Sequence, residues 1–196
     1  MHERGKFSLA DSILKGVEDF DFEFENTPTR VVAVKHIPEI EIGGITIGPF
    51  DEDREFEVKY WIAYELIKSG FARFLEGFPL DLVSLNKIQW KEPIQPGVKL
   101  STLPKYFYPR LRRYLLLCKD NAVNDVSSSE KYSKASRLTQ DIIGCRLKKI
   151  VNLAASPVQT DNSLQTMTME ERIFYDAVYS LVSDWKKKIL RSGASK

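Results

Sequence analysis

Apolar residues recur at two different periods along this chain of 196 residues, and the change of period divides it. Over its first part they come in short runs or alternate, which predicts strands at Arg30–His36, Glu39–Ile42 and Ile45–Ile47. Gly43-Gly44 joins the last two as a hairpin turn, because glycine reaches positive φ at little steric cost. Gly48-Pro49 stops the second hairpin strand. Phe56 and Val58 add another strand, Tyr60–Ser69 reads as a helix closed by Gly70, and Phe71–Phe74 returns to the sheet. Ahead of this unit, Leu9, Ile13, Leu14 and Val17 predict a short helix over Ser8–Phe20, followed by a turn at Asn26-Thr27-Pro28.

Helical spacing takes over after Gly77-Phe78-Pro79. Leu80–Trp90 reads as a helix, and three prolines then predict an internal loop over 91–103. Phe107, Leu111, Tyr114, Leu115 and Cys118 form one apolar stripe, with Pro109 opening or kinking that helix. Ser127–Leu153 is a long helix whose apolar positions spread over more than one face, so cover is expected on more than one side. Thr168-Met169-Glu170-Glu171 has the form of a capping box. The last helix continues through Phe174, Val178, Leu181, Trp185 and Ile189, with Lys186, Lys187 and Lys188 at its negative dipole end. The expected fold is α+β: a leading segment and small β-rich domain with one helix (1–75), then an all-α helical domain (76–196).

Composition agrees with a folded chain: 43% hydrophobic and 11% aromatic residues suffice for a core. Cys118 and Cys145 form neither a CxxC pair nor a disulfide framework, as expected of buried thiols in a reducing compartment. No run of 18 apolar residues exists and the start lacks the core of a signal peptide, so the expectation is a soluble intracellular protein with no membrane contact. Charge is uneven. Residues 1–98 carry a net −7 and residues 99–196 a net +9. That asymmetry suggests modules with different partners, or two solvated surfaces that neutralise each other.

Candidate chemistry is sparse. His2 and His36 have no ligating partners in the pattern, which disfavours a zinc site, and no GxSxG elbow accompanies them. GGITIGPF lacks the Lys-Ser/Thr of a phosphate-binding loop and does not match GxGxxG. The acidic run Asp51, Glu52, Asp53, Glu55 and Glu57 lacks the spacing of a calcium loop. No catalytic, cofactor-binding or metal-ligating set is therefore assigned, and no enzyme activity or cofactor is expected. Arg110, Arg112 and Arg113 interleave with Tyr106, Phe107, Tyr108 and Tyr114, while Lys131, Lys134, Arg137, Arg146, Lys148 and Lys149 mark the long helix. Such clusters suit phosphates or an acidic partner. The alternative function on this ground is a stand-alone DNA-binding regulator that uses the basic helical half.

The segment GPFDEDREFEVKYWIAYELIKSGFARF, from Gly48 to Phe74, resembles the β-domain signature of the GINS subunits of the replicative helicase. Glu57, Val58, Trp61 and Ala63 stand in matching positions, with Ile62 for leucine and Gly70 closing the helix. Lys59 takes the place of the family's usual proline, which predicts a differently shaped start to the helix. LSTLPKYFYPRLRRYLLL resembles the family's helical-domain start, and TMEERIFYDAVYSLVSDWKKKIL its terminal helix. The resemblance implies no catalysis. It implies a β-domain-first subunit of archaeal type, cytoplasmic and nucleoid-associated (nuclear in a eukaryote). Its implied partners are a GINS subunit of reversed domain order in a two-plus-two hetero-tetramer, the MCM helicase, a RecJ-like protein, and primase or polymerase, with direct DNA contact left open. Phe107, Leu111, Tyr114, Leu115, Leu138, Ile142, Leu147 and Ile150 are expected as core and subunit-interface packing, and Trp61 and Leu66 as the small-domain core.

Overall fold

The computed structural model describes residues 9–75, 80–94, 97, 99–123, 126–156 and 164–191. Its elements run α1 (Leu9–Glu25), β1 (Pro28–Ala33), β2 (Ile40–Ile42), β3 (Ile45–Ile47), β4 (Glu55–Lys59), α2 (Tyr60–Lys68), β5 (Ala72–Phe74), α3 (Leu82–Ile94), α4 (Phe107–Ala122), α5 (Val126–Ala155) and α6 (Met169–Arg191). Short strands come first and helices second, an α+β chain. It falls into two compact units: Asp21–Leu80, and the chain up to Phe20 together with Asp81 onwards. Gly16 shows why the leading helix groups with the later ones. A Cβ there would stand 2.6 Å from the Ile173 side chain, so α1 lies close against α6 at that point.

In the small unit β1 is the central strand, antiparallel to β4 on one side and to β5 on the other. Strand β4 alternates cleanly: Phe56 and Val58 are buried while Glu55, Glu57 and Lys59 are exposed. Opposite them sit Val31 and Thr29, and Val31 also faces Phe74, so one side of the sheet is apolar. Helix α2 covers it with Ile62, Ala63 and Leu66. Gly43 and Gly44, both at positive φ, turn the separate β2–β3 hairpin. Gly70 closes α2 at φ +72, its N–H donating to the Ile67 carbonyl and that of Phe71 to Leu66, a complete Schellman motif.

Two expectations about this unit change. Helix α1 runs on to Glu25 instead of stopping at Phe20, although its acidic end opposes the helix dipole. Phe24 supplies the reason: it is buried, with its ring 4.3 Å from that of Tyr60, and the Asn26 amide and Thr27 hydroxyl donate to the last carbonyls. The start of α2 is not reshaped by Lys59. That residue has φ −60, the value that a proline would fix, and ψ 146, which a proline also adopts. Pro28 and Lys59 face each other between Thr27, whose carbonyl accepts from Tyr60 N–H, and the Thr29–Val58 pair. In an antiparallel ladder such a residue turns its N–H away from the partner strand, and β4 lies at the sheet edge. The Lys59 ammonium instead reaches Asn26 Oδ1 at 3.1 Å.

The helical unit is organised around α5, a rod of 30 residues against which α3, α4 and α6 all pack. Helix α4 presents Phe107, Leu111, Tyr114 and Cys118 to the core, and Pro109 sits harmlessly in its first turn. Leu100, Ile150, Leu153, Ala154 and Tyr175 join α5 to α6. Helix α3 extends through Ile94, into the stretch expected as loop over 91–103. Pro93 removes one backbone hydrogen bond from its last turn, and Glu92 beside it is buried and held by α5, which outweighs the breaker signal.

Candidate subunit interface and the ionic clasp beside it

Thr168 and Glu171 begin α6 with a reciprocal capping box: Glu171 N–H donates to Thr168 Oγ1 at 3.3 Å, and Thr168 N–H to Glu171 Oε2 at 3.0 Å. The same carboxylate takes both sides of the Arg146 fork, Nε at 2.6 Å and Nη2 at 2.8 Å, and accepts from the Tyr108 hydroxyl at 2.7 Å. The other edge of Arg146 reaches Glu92 Oε2 at 2.7 Å and the Ser101 carbonyl at 2.8 Å. Lys149 donates to Glu92 Oε1 at 3.0 Å and to the Lys99 carbonyl at 2.8 Å. The Ser101 hydroxyl also donates to Glu92. Two cations and two carboxylates thus cancel within one buried cluster, and Arg146 is 0% exposed.

Its chemistry is structural. Burial favours the neutral acid at Glu92, yet the Ser101 hydroxyl together with Arg146 and Lys149 holds the carboxyl below its ordinary value. Burial opposes the Arg146 charge, but Glu171 and Glu92 outweigh it and push its pKa up. Tyr108 is raised, first by burial and then by the adjacent Glu171 carboxylate, so it stays a neutral donor. A fully paired buried network fixes geometry more than it adds stability. Here it sets the register of α3, α4, α5 and α6. Arg146 and Lys149, which the sequence suggested as part of a basic helix surface, are this clasp rather than a surface.

Beyond the clasp, α6 continues alongside α5 until Lys186 donates to the Ala155 carbonyl at the end of that helix at 2.9 Å. Val178, Leu181, Val182, Trp185 and Ile189 fall on one stripe of α6. Leu181 is 62% exposed and Trp185 63%, and Ile189 and Leu190 are exposed as well. On α5 a second apolar stripe, Ile143, Leu147 and Val151, is half-buried to exposed, with Leu147 at 39%. These are more large apolar side chains than a lone surface helix commonly leaves to water.

The residues expected as core and interface divide accordingly. Phe107, Leu111, Tyr114, Leu138, Ile142 and Ile150 are buried within the chain, Leu115 is half-buried, and Leu147 faces outward. Leu66 lies in the small-unit core, whereas Trp61 is half-buried against it and Ile62 and Ala63 take the centre. Arg110, Arg112 and Arg113 are half-buried and each already interacts within the chain. His36 pairs at 3.6 Å with Asp51, both well exposed. Among the described residues no group of His, Cys, Asp or Glu could hold a metal ion. No described helix is long and apolar enough to cross a membrane.

Residues 80–190 match the Sld5 family model, the GINS complex protein helical bundle domain. The chain belongs to the GINS family. The matched span contains the whole clasp and the whole α6 stripe. No curated protein matches the chain in a sequence comparison. GINS proteins are structural subunits of a DNA replication complex, so assembly with other GINS subunits follows for this chain.

Proposed function

We propose that this chain is the β-domain-first GINS subunit of archaeal type, a non-catalytic scaffold that links the MCM helicase to a RecJ-like factor at the replication fork. Its partner in assembly is a GINS subunit of reversed domain order, in a two-plus-two hetero-tetramer that also meets primase or polymerase. Within it, a small β-rich domain ends near residue 75, and the helical domain from residue 76 carries assembly. The site of action is the chromosome, the nucleoid in an archaeal cell or the nucleus in a eukaryotic one.

The observation that carries this reading is the exposed stripe Leu181, Trp185 and Ile189 on α6, placed by the clasp at its other end. Order along the chain adds support, since the small β-bearing unit precedes the matched helical bundle. The stand-alone DNA-binding alternative has less support, because Arg110, Arg112 and Arg113 are engaged within the chain. Co-purification tests the scaffold role. The chain and its partner subunit together are expected to retain both the MCM helicase and the RecJ-like factor at moderate salt. Retention of neither would remove the linking function.

A further inference from the structure

We propose that the outer face of α3 and the cleft beside it form a docking site for a short acidic and apolar peptide segment of a protein partner. Helix α3 buries Leu85, Ile88 and Glu92. At about 100° per residue, Val83, Lys87, Trp90 and Ile94 lie on the opposite face. Trp90 is 72% exposed and Ile94 75%, beside an exposed Val83. Lys91, one position past Trp90, forms a wall of a cleft of about 630 Å³ that is also lined by Lys99, Thr102, Gln165 and Thr166.

Charge complementarity selects the occupant. Lys91 and Lys99 make no ion pair among the described residues, while Glu92, adjacent to Lys91 in sequence, is already engaged by Arg146, Lys149 and Ser101. The cleft therefore offers two cations with the Thr102 hydroxyl and the Gln165 amide, next to an aliphatic and aromatic strip. Carboxylates of a bound segment enter the cleft, and its apolar side chains lie on Trp90 and Ile94. A nucleic-acid strand fits less well. Stacking platforms use successive aromatics, and Trp90 is the single aromatic of α3.

The proposal does not depend on the α6 stripe, so the two can fail separately. The test is fluorescence anisotropy with the full chain and a short labelled peptide that alternates aspartate with leucine and phenylalanine. Saturable binding is expected. It should weaken about tenfold in Trp90→Ala and in Lys91→Glu/Lys99→Glu, each a loss of about 1.4 kcal/mol, and vanish when the aspartates become asparagines. All three positions are exposed, and unchanged circular dichroism verifies the fold of the variants. No binding, or equal binding by the variants, overturns the proposal. Binding of oligo-dT lost in the same variants, without peptide binding, replaces it with a nucleic-acid site. Loss of peptide binding on adding the reversed-order GINS subunit assigns the face to subunit contact instead.

Discussion

Arg146→Met should be the most damaging single change in the helical unit. Methionine keeps much of the aliphatic length but removes the fork that touches Glu92, Glu171 and the Ser101 carbonyl. Glu92 keeps Lys149 and Ser101, while Glu171 retains, among the described residues, only the Tyr108 hydroxyl and the Thr168 N–H, without any cation. Removing one partner of a buried ion pair costs about 3–5 kcal/mol, chiefly because the remaining charge stays desolvated. Against a total stability of about 5–15 kcal/mol, this leaves the unit near the edge of folding. The midpoint of thermal unfolding should fall by about 6–20 °C, read by far-UV circular dichroism. Acid titration provides a second signature. The Glu92 carboxyl is held below its ordinary 4.5, so it contributes stability above that pH and loses it as pH falls through the lower folded value. That acid-side loss should be smaller in Arg146→Met. A cost below about 1 kcal/mol, with unchanged acid behaviour, would show that the clasp is not buried and paired as described.

Tyr108→Phe removes a hydrogen bond to a charged acceptor and should cost about 1.5–3 kcal/mol by urea unfolding. Its raised phenol pKa contributes stability that is complete below about pH 10 and lost as pH rises toward the folded value; the phenylalanine variant should lack this alkaline loss. Lys59→Pro should leave the unfolding midpoint unchanged or raise stability by about 0.4–1 kcal/mol, since φ is already −60 and only an exposed lysine contact is lost. A destabilised Lys59→Pro would mean that the Lys59 N–H is needed in the sheet. Gly70→Ala meets no atom within 4 Å, so its cost is conformational alone, about 1–2 kcal/mol from φ +72. A neutral result in thermal unfolding would contradict the Schellman ending of α2.

The α+β order, the hairpin at Gly43-Gly44, the Gly70 cap and the capping box at Thr168 were all readable from spacing, because each is a local signal with a local cause. What was hidden depends on contacts distant in sequence. Nothing near Glu92 reveals that Arg146 and Lys149 hold it, so Pro93 looked like the beginning of a loop. The same two cations looked like surface charges because their acidic partners lie 25 to 57 positions away along the chain, at Glu92 and Glu171. Phe24 extends α1 through its contact with Tyr60, which no helical pattern announces. For the interface, the stripe Phe107–Leu111–Tyr114 is the most regular one in sequence, and regularity marks the chain's own core. The breadth of apolar positions on α5, and the run of them to the end of α6, were the better signal for apolar surface that the chain leaves exposed.

The assembly account rests on α6, and one mass measurement addresses it. Co-expression with a GINS subunit of reversed domain order, followed by light scattering, should give a complex with two copies of each chain. Leu181→Asp/Trp185→Asp should reduce this to smaller species while the unfolding midpoint of the isolated variant stays within about 0.5 kcal/mol of the parent, as exposed positions predict. A parent chain that remains alone beside its partner, or a double variant that assembles as well as the parent, would contradict the account.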